Sequence, residues 1–208
     1  MKNIKLIFLT FTIIAIVGSS LFFIISKKNN QSPVTRKTNS KSFKPINACD
    51  VLTAELAKSV IKGEVENDND NSSDVNLANE DVAISNCTYV SKSGTNIRDI
   101  KTVGLLIRQA KNDLGKESNK LGFEKNKKRD YGDISKELEE LKKLGITPKE
   151  SSPVEETDIL GEKAYFDPDL KQFNVLIKDN DFWIILSGNN IEKSDLLSLT
   201  EKIIKQIN

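Results

Sequence analysis

The stretch that decides the fold is residues 172–187, QFNVLIKDNDFWIILS. Its first half places the apolar residues Phe173, Val175 and Ile177 at alternate positions, as a strand with one buried face does. The polar pair Asp179-Asn180 follows, and a second apolar run continues after it. This pattern predicts an antiparallel hairpin with its turn at the polar pair. The two predicted strands are residues 172–178 and 182–187.

Further elements are predicted on the N-terminal and C-terminal sides of this hairpin. The other predicted strands are residues 82–91, 102–110 and 163–167. The predicted helices lie within residues 49–63, 133–145 and 192–207. The predicted loops are residues 64–81 and 148–156, and residues 112–132 show no assignable element. The sequence therefore predicts one α+β domain over residues 45–208, with a mainly antiparallel sheet and packed helices forming an α/β sandwich.

The composition excludes several kinds of active site. The 208 residues contain no histidine and only two cysteines. Without histidine there is no Ser-His-Asp triad and no imidazole metal ligand, and two cysteines are too few for a cysteine-based zinc or iron–sulfur site. We therefore expect no cofactor and no enzymatic activity. A small hydrolase that uses two carboxylates, or a serine with a lysine, stays open as an alternative.

The charge is distributed unevenly along the chain. The net charge is +1, but residues 1–44 contain eight lysines and arginines and no acid. Residues 45–208 therefore hold 23 basic residues against 30 acidic ones. An acidic domain repels phosphate backbones, so we expect no nucleic-acid partner. The short basic run at residues 125–129 lacks interleaved aromatic residues and is predicted to be a solvated loop.

An apolar segment precedes the domain. Residues 6–26, LIFLTFTIIAIVGSSLFFIIS, contain no charged residue. At about 1.5 Å per residue they extend over roughly 31 Å, which matches a hydrocarbon core of about 30 Å. They predict a transmembrane helix, with residues 1–5 as a short cytoplasmic tip. The small residues at 18–20 are similar to a cleavage site, but the apolar run continues beyond them, which favours an uncleaved signal anchor over cleavage.

The next residues indicate how the domain is attached. Residues 27–44, KKNNQSPVTRKTNSKSFK, are polar and basic, which predicts a flexible linker. They carry six basic residues against two before the apolar segment, so a positive-inside count alone would place the domain in the cytoplasm. The layout of an export signal and the two cysteines favour the opposite side. We therefore expect a single-pass protein of the cell membrane with residues 45–208 extracytoplasmic.

The two cysteines, Cys49 and Cys87, are predicted to form a disulfide. In an extracytoplasmic domain an even cysteine count favours pairing. The bond would hold the first predicted helix to the first predicted strand. A redox-active pair and two unpaired thiols are the alternatives, although redox pairs are usually close in sequence.

The acidic loop contains a weak calcium-binding pattern. Asp68, Asp70, Ser72 and Asp74 offer oxygen ligands at alternate positions, as calcium loops do. The pattern departs from an EF-hand because Ser73 stands where the turn needs glycine. A solvated loop without metal is the alternative.

Two groups of short motifs suggest a family. Residues 48–53 read ACDVLT and open a helix that ends at a glycine, and residues 87–89 read CTY within a strand. Residues 160–166 read LGEKAYF and precede the hairpin and the final helix. Over residues 47–207 this resembles a family of bacterial cell-envelope lipoproteins of unknown function, except that the lipid-acceptor cysteine is absent. The resemblance implies an extracytoplasmic α/β sandwich with its two cysteines bridged, and no known activity.

Together these features predict a membrane-anchored extracytoplasmic domain that binds its partner without catalysis, through the sheet face or its loops. The expected partners are the membrane, through residues 6–26, and an envelope protein or a small ligand. The carboxylate or Ser/Lys hydrolase is one alternative, and a calcium-responsive envelope module is the other.

Overall fold

The computed structural model describes residues 43–68, 81–91, 99–129, 139, 143–145 and 151–208. Residues 42–208 form one compact unit. The predicted membrane segment, nearly all of the predicted linker and most of the predicted helix at 133–145 lie outside the described residues. Within the described part of the chain, no helix is long and apolar enough to cross a membrane.

The domain is built on one sheet of seven strands, and every pairing in it is antiparallel. The strands are β1 (Val65–Asn67), β2 (Val82–Ser91), β3 (Thr102–Ala110), β4 (Glu155–Ile159), β5 (Glu162–Asp167), β6 (Gln172–Ile177) and β7 (Phe182–Asn189). Their order across the sheet is β1-β2-β3-β7-β6-β5-β4. The predicted α+β class, antiparallel sheet and five predicted strands are confirmed.

The predicted hairpin is formed by β6 and β7, which place Val175 opposite Ile184. Its turn contains Lys178, Asp179 and Asn180, with φ angles of 52°, 51° and 67°. Asparagine and aspartate tolerate this left-handed region better than most residues, which explains why a polar pair stands here.

Among the described residues, four helices accompany the sheet. They are α1 (Ala48–Val51), α2 (Ala54–Ile61), α3 (Asp113–Lys128) and α4 (Lys193–Ile207). The predicted helix within residues 49–63 is present as α2, and the residues before it form the separate short helix α1, because Thr53 has extended backbone angles. The Thr53 hydroxyl accepts a hydrogen bond from the backbone of Leu56 and so begins α2 as a second helix.

The helices cover opposite faces of the sheet. One face, called the α4 face, carries Val103, Leu105 and Ile107 of β3 together with the residues in register with them. They form the main core with α1, α2 and α4, to which α4 contributes the buried Leu196 and Ile203. The other face is called the α3 face because α3 packs on it. It carries the residues that alternate along each strand with those of the α4 face. The result is a sheet between two helical layers.

Helix α3 corrects the view that residues 112–132 hold no element, and it also replaces the predicted loop at 125–129. Its stripe against the sheet is formed largely by small and polar residues. The stripe consists of Gly115, Asn119, Gly122, Phe123 and Asn126. Because only one of these side chains is large and apolar, the usual hydrophobic signal of an amphipathic helix is missing.

Two short strands also correct predicted loops. Strand β1 lies inside the predicted loop at 64–81, and β4 begins inside the predicted loop at 148–156. Both are edge strands, and in each only one residue is buried, Val65 in β1 and Ile159 in β4. Strands with so few buried positions show little apolar alternation, so their sequences resemble loops.

Candidate functional site

The predicted disulfide between Cys49 and Cys87 is present, with 5.1 Å between the Cα atoms. It joins α1 to the middle of β2 on the α4 face. The backbone N–H of Ala48 also donates to the hydroxyl of Ser85 at 2.8 Å. Both contacts hold the start of the domain against the sheet, so the cysteines have a structural role here.

The calcium prediction falls largely outside the described residues. Of its four candidate ligands only Asp68 is described, and its backbone N–H donates to the carbonyl of Thr88 at 3.0 Å. Asp70, Ser72 and Asp74 lie outside. Among the residues that the structure describes, no group of three or more acidic or cysteine side chains could hold a metal ion.

One carboxylate pair that a hydrolase could use does not converge. Glu155 and Glu156 are neighbours on β4, so their side chains lie on opposite faces of the sheet. Glu155 forms an ion pair with Lys193 of α4. Glu156 pairs with Lys127 of α3 at 2.7 Å. Each carboxylate ties the edge strand to a different helical layer.

A cleft of about 460 Å³ lies at one end of the sheet, between the β5–β6 turn and the connection from β7 to α4. Its lining residues come from two separate stretches of the chain, residues 166–171 and 190–193. They are Phe166, Pro168, Lys171, Asn190, Ile191, Glu192 and Lys193. We call it the distal cleft, because the chain enters the domain at the opposite end of the sheet.

Both walls of the distal cleft are held by hydrogen bonds. On one side, the Asp167 carboxylate accepts the backbone N–H groups of Asp169 and Leu170 at 3.0 and 3.1 Å, which closes the turn. On the other side, the Asn190 side chain donates to the carbonyl of Ile100 at 2.9 Å. The walls are therefore positioned before any ligand arrives.

The distal cleft is open, and most of the surface that its lining exposes is polar. The ammonium of Lys193 lies 4.7 Å from the centroid of the Phe166 ring, and Lys171 adds a second, exposed ammonium group. Glu192 contributes one carboxylate to the lining, and Ile191 contributes buried apolar surface. Sequence reasoning missed this cleft because its residues come from the end of β5, the β5–β6 turn, the connection after β7 and the start of α4, and they show no motif or shared spacing.

A polar cluster lies between α3 and the sheet. Asn126 donates to the hydroxyl of Tyr165 at 2.8 Å and to Asn174 Oδ1 at 3.1 Å, and the indole N–H of Trp183 donates to the same oxygen at 3.2 Å. Within the described residues, Asn174 Nδ2 has no hydrogen-bond partner. The cluster explains why α3 can pack closely with a polar stripe.

A buried arginine extends this cluster. Arg108 stacks over the Trp183 ring at 5.4 Å and donates to Asn119 Oδ1 at 3.4 Å. Burial disfavours the charged guanidinium and lowers the pKa of Arg108. Stacking on the indole face offsets part of that cost.

The last turn of α3 is fixed by a second arginine. Arg129 donates to both oxygens of the buried Asp167 carboxylate at 2.8 and 3.3 Å, and to Asp169 at 3.0 Å. Burial alone would lower the pKa of Arg129, but the two carboxylates raise it. Asp169 also accepts the backbone N–H and the hydroxyl of Ser152. This network joins α3, the β5–β6 turn and the segment before β4.

Comparisons of the chain with protein-family models, with curated proteins and with solved structures found no match. The function must therefore be inferred from the geometry of the chain itself.

Proposed function

We propose that this chain is a single-pass, membrane-anchored protein whose extracytoplasmic domain binds a ligand in the distal cleft and does not catalyse a reaction. The observation that carries this proposal is the cleft itself, whose walls are held by hydrogen bonds and which carries two lysines. Ligand sites usually place a few polar groups in a recess, and the polar lining of this open cleft suits a charged ligand. The resemblance to cell-envelope lipoproteins points to the same compartment and remains a prediction.

The charges indicate the ligand class. The lining carries Lys171, Lys193 and one carboxylate, Glu192. Lys193 also pairs with Glu155 beside the cleft, so Lys171 is the lining cation without an ion pair among the described residues. A phosphate or carboxylate group would gain charge-assisted hydrogen bonds from the two ammonium groups. The Phe166 ring and the Ile191 side chain would contact the apolar part of the same ligand. We therefore infer a small anionic ligand with an apolar portion.

The position of the cleft supports its use in a tethered domain. The chain enters the domain at the end of β3, where Gln109 accepts the backbone N–H of Ile46 at 2.8 Å. In that region of the sheet β3 pairs with the start of β7, and the cleft lies beyond the end of β7, at Asn190. At about 3.4 Å per residue, the eight residues of β7 separate the two ends by roughly 27 Å.

The described chemistry offers no support for either alternative function. The Glu155 and Glu156 carboxylates diverge, and three of the four calcium candidates lie outside the described residues. A disulfide is typical of oxidising compartments, which supports the extracytoplasmic placement. The Ser/Lys hydrolase and the calcium-responsive module stay predictions, since the described residues test neither of them.

The test uses the full chain in lipid nanodiscs, with citrate and inorganic phosphate as probes. We expect NMR shift changes at the backbone amides of Lys171 and residues 190–193 on titration. The double variant Lys171→Gln/Lys193→Gln removes both ammonium groups and should bind the probes about tenfold more weakly. That loss corresponds to about 1.4 kcal/mol of binding free energy.

The matched control is Lys120→Gln/Lys202→Gln, which removes the same charge from exposed positions elsewhere. It should bind like the wild type. Equal weakening in both double variants would show that net charge, and not the distal cleft, attracts the probes, and the proposal would then be wrong.

A further inference from the structure

We propose that the outer edge of β4 is a docking edge for an extended basic segment of a partner protein, which adds to the sheet as an eighth strand. This inference rests on the geometry and charge of β4; it shares Lys193 with the distal cleft but needs no ligand there. The partner segment would carry two basic residues separated by one other residue.

Strand β4 is the more accessible of the two edges of the described sheet. It is the last strand in the order and pairs on one side only, with β5, over five residue pairs. The opposite edge, β1, has only three residues. Along an edge strand, alternate backbone N–H and C=O groups point away from the sheet and can pair with another strand.

The side chains of β4 leave this edge accessible. Glu155 is drawn over the α4 face by Lys193, and Glu156 is drawn over the α3 face by Lys127. Neither carboxylate therefore covers the backbone N–H and C=O groups that point away from the sheet. Proteins commonly protect edges with charged side chains, above all lysine, or with proline. Strand β4 contains neither lysine nor proline, and its three charged residues are all acidic, so they repel an acidic strand but not a basic one.

The charges of β4 select against a second copy of the same strand. In an antiparallel pair centred on Thr157, Glu156 of one copy would lie opposite Asp158 of the other. Like charges directly opposite each other destabilise a strand pair. The same pattern favours a basic strand, because a basic residue opposite a carboxylate stabilises the pair.

The alternation of the strand defines the spacing of that basic partner. Glu156 and Asp158 are two residues apart, so both side chains lie on the α3 face. The Glu156 side chain is 71% exposed even with Lys127 paired to it. A partner with a basic residue, one β-forming residue and a second basic residue would place both charges beside these carboxylates.

The experiment uses the full chain in nanodiscs of zwitterionic lipid, with the synthetic peptide Thr-Val-Lys-Val-Arg-Val-Thr as the probe. We expect saturable binding and slower hydrogen exchange at alternate amides of residues 155–159. The same peptide N-methylated at alternate residues keeps every charge but loses the hydrogen-bond donors, and it should bind at least about tenfold more weakly, as expected if two or more net hydrogen bonds are lost.

A pair of protein variants separates docking at β4 from general attraction. Glu156→Gln/Asp158→Asn should weaken peptide binding several-fold, whereas Asp50→Asn/Glu117→Gln, at exposed positions away from β4, should leave it unchanged.

Three results would overturn the proposal. The first is equal binding of the methylated and unmethylated peptides, which means charge attraction without strand pairing. The second is equal binding by both protein variants. The third is protection of the β4 amides in the chain alone together with self-association, which would make a second copy the occupant.

Discussion

At the scale of single residues, two glycines determine how closely α3 lies on the sheet. A Cβ atom added at Gly122 would lie 2.6 Å from a ring carbon of Trp183, and one at Gly115 would lie 2.2 Å from the carbonyl oxygen of Asp81. Alanine stabilises a helix by up to about 1 kcal/mol relative to glycine. Overpacking costs about 1–3 kcal/mol, so the steric cost prevails at both positions.

We therefore expect Gly115→Ala and Gly122→Ala to lower the free energy of unfolding by about 1–2 kcal/mol each. Gly115→Ala should have the larger effect because it meets backbone, which cannot rotate away. Urea titration followed by the fluorescence of Trp183 measures the change. Gly63→Ala is the control, since no atom lies within 4 Å of its added Cβ. Unchanged stability of Gly122→Ala would contradict the close approach of α3 to Trp183.

The Asp169 carboxylate has a pH-dependent role at the same scale. Hydrogen bonds from the backbone and hydroxyl of Ser152, together with the charge of Arg129, lower the pKa of Asp169 from its ordinary value of 3.8. The folded state thus binds this proton less tightly than the unfolded state. Asp169 therefore stabilises the fold above its ordinary pKa, and the contribution is lost as the pH falls through the lowered value.

Asp169→Asn should accordingly reduce the urea midpoint at neutral pH, and the difference from the wild type should shrink in acid. Urea titrations between about pH 7 and about pH 2 follow this convergence. The control is Asp179→Asn, at an exposed turn position where asparagine is also tolerated. A difference that stays constant down to the lowest pH would show that the ionised carboxylate is not what stabilises the fold.

At the scale of helices and strands, those that bury apolar side chains at regular intervals could be predicted from the sequence. Strands β6 and β7 and helix α4 do so, and each was predicted nearly to its observed bounds. Helix α3 was not predicted, because glycine and asparagine form much of its contact with the sheet. A sequence signal did exist, since Gly115 and Gly122 are seven residues apart and Asn119 and Asn126 repeat that spacing. This spacing indicates a helix whose backbone lies close to the sheet and whose contact with the sheet is not mainly apolar.

The candidate sites also differ in how far the sequence could predict them. The disulfide could be predicted, because it needs only two cysteines and an oxidising compartment. The distal cleft could not, since Phe166, Lys171 and Asn190 meet only after the β5–β6 and β6–β7 turns have folded. Strand β4 was assigned partly to a loop, because its acidic residues are exposed and only Ile159 is buried.

The disulfide supports a prediction at this scale. It closes a loop of 38 residues, for which the chain-entropy model gives a stabilisation of about 4 kcal/mol. Cys49→Ala/Cys87→Ala should lower the free energy of unfolding by about that amount, as measured by urea titration. The reduced wild type should unfold at the same midpoint as the variant. A variant as stable as the oxidised wild type would mean that the other contacts of α1 suffice.

At the scale of the whole molecule, the two helical layers are each joined to the same edge strand. Lys193 of α4 pairs with Glu155, and Lys127 of α3 pairs with Glu156. Exposed ion pairs contribute little individually, typically about 0–1 kcal/mol. Their importance lies in orientation, because they keep the acidic side chains of β4 over the sheet faces.

The compartment of the domain is testable in intact cells. If the domain is extracytoplasmic, Cys49 and Cys87 should resist maleimide labelling until a reductant is added, and mass spectrometry of the unreduced chain should show one linked peptide pair. Reducing enzymes in the cytoplasm keep thiols free. Two thiols that label without reduction would place the domain in the cytoplasm and contradict the proposed anchoring.

The carboxylate of Asp169 has one further consequence. It binds Arg129 on one side and Ser152 on the other, so the residues that flank positions 130–151 are held together by the body of the domain. Arg129 and Ser152 are therefore fixed on the body of the domain, and a single cut in the chain between them would leave both flanking residues bound to the same carboxylate.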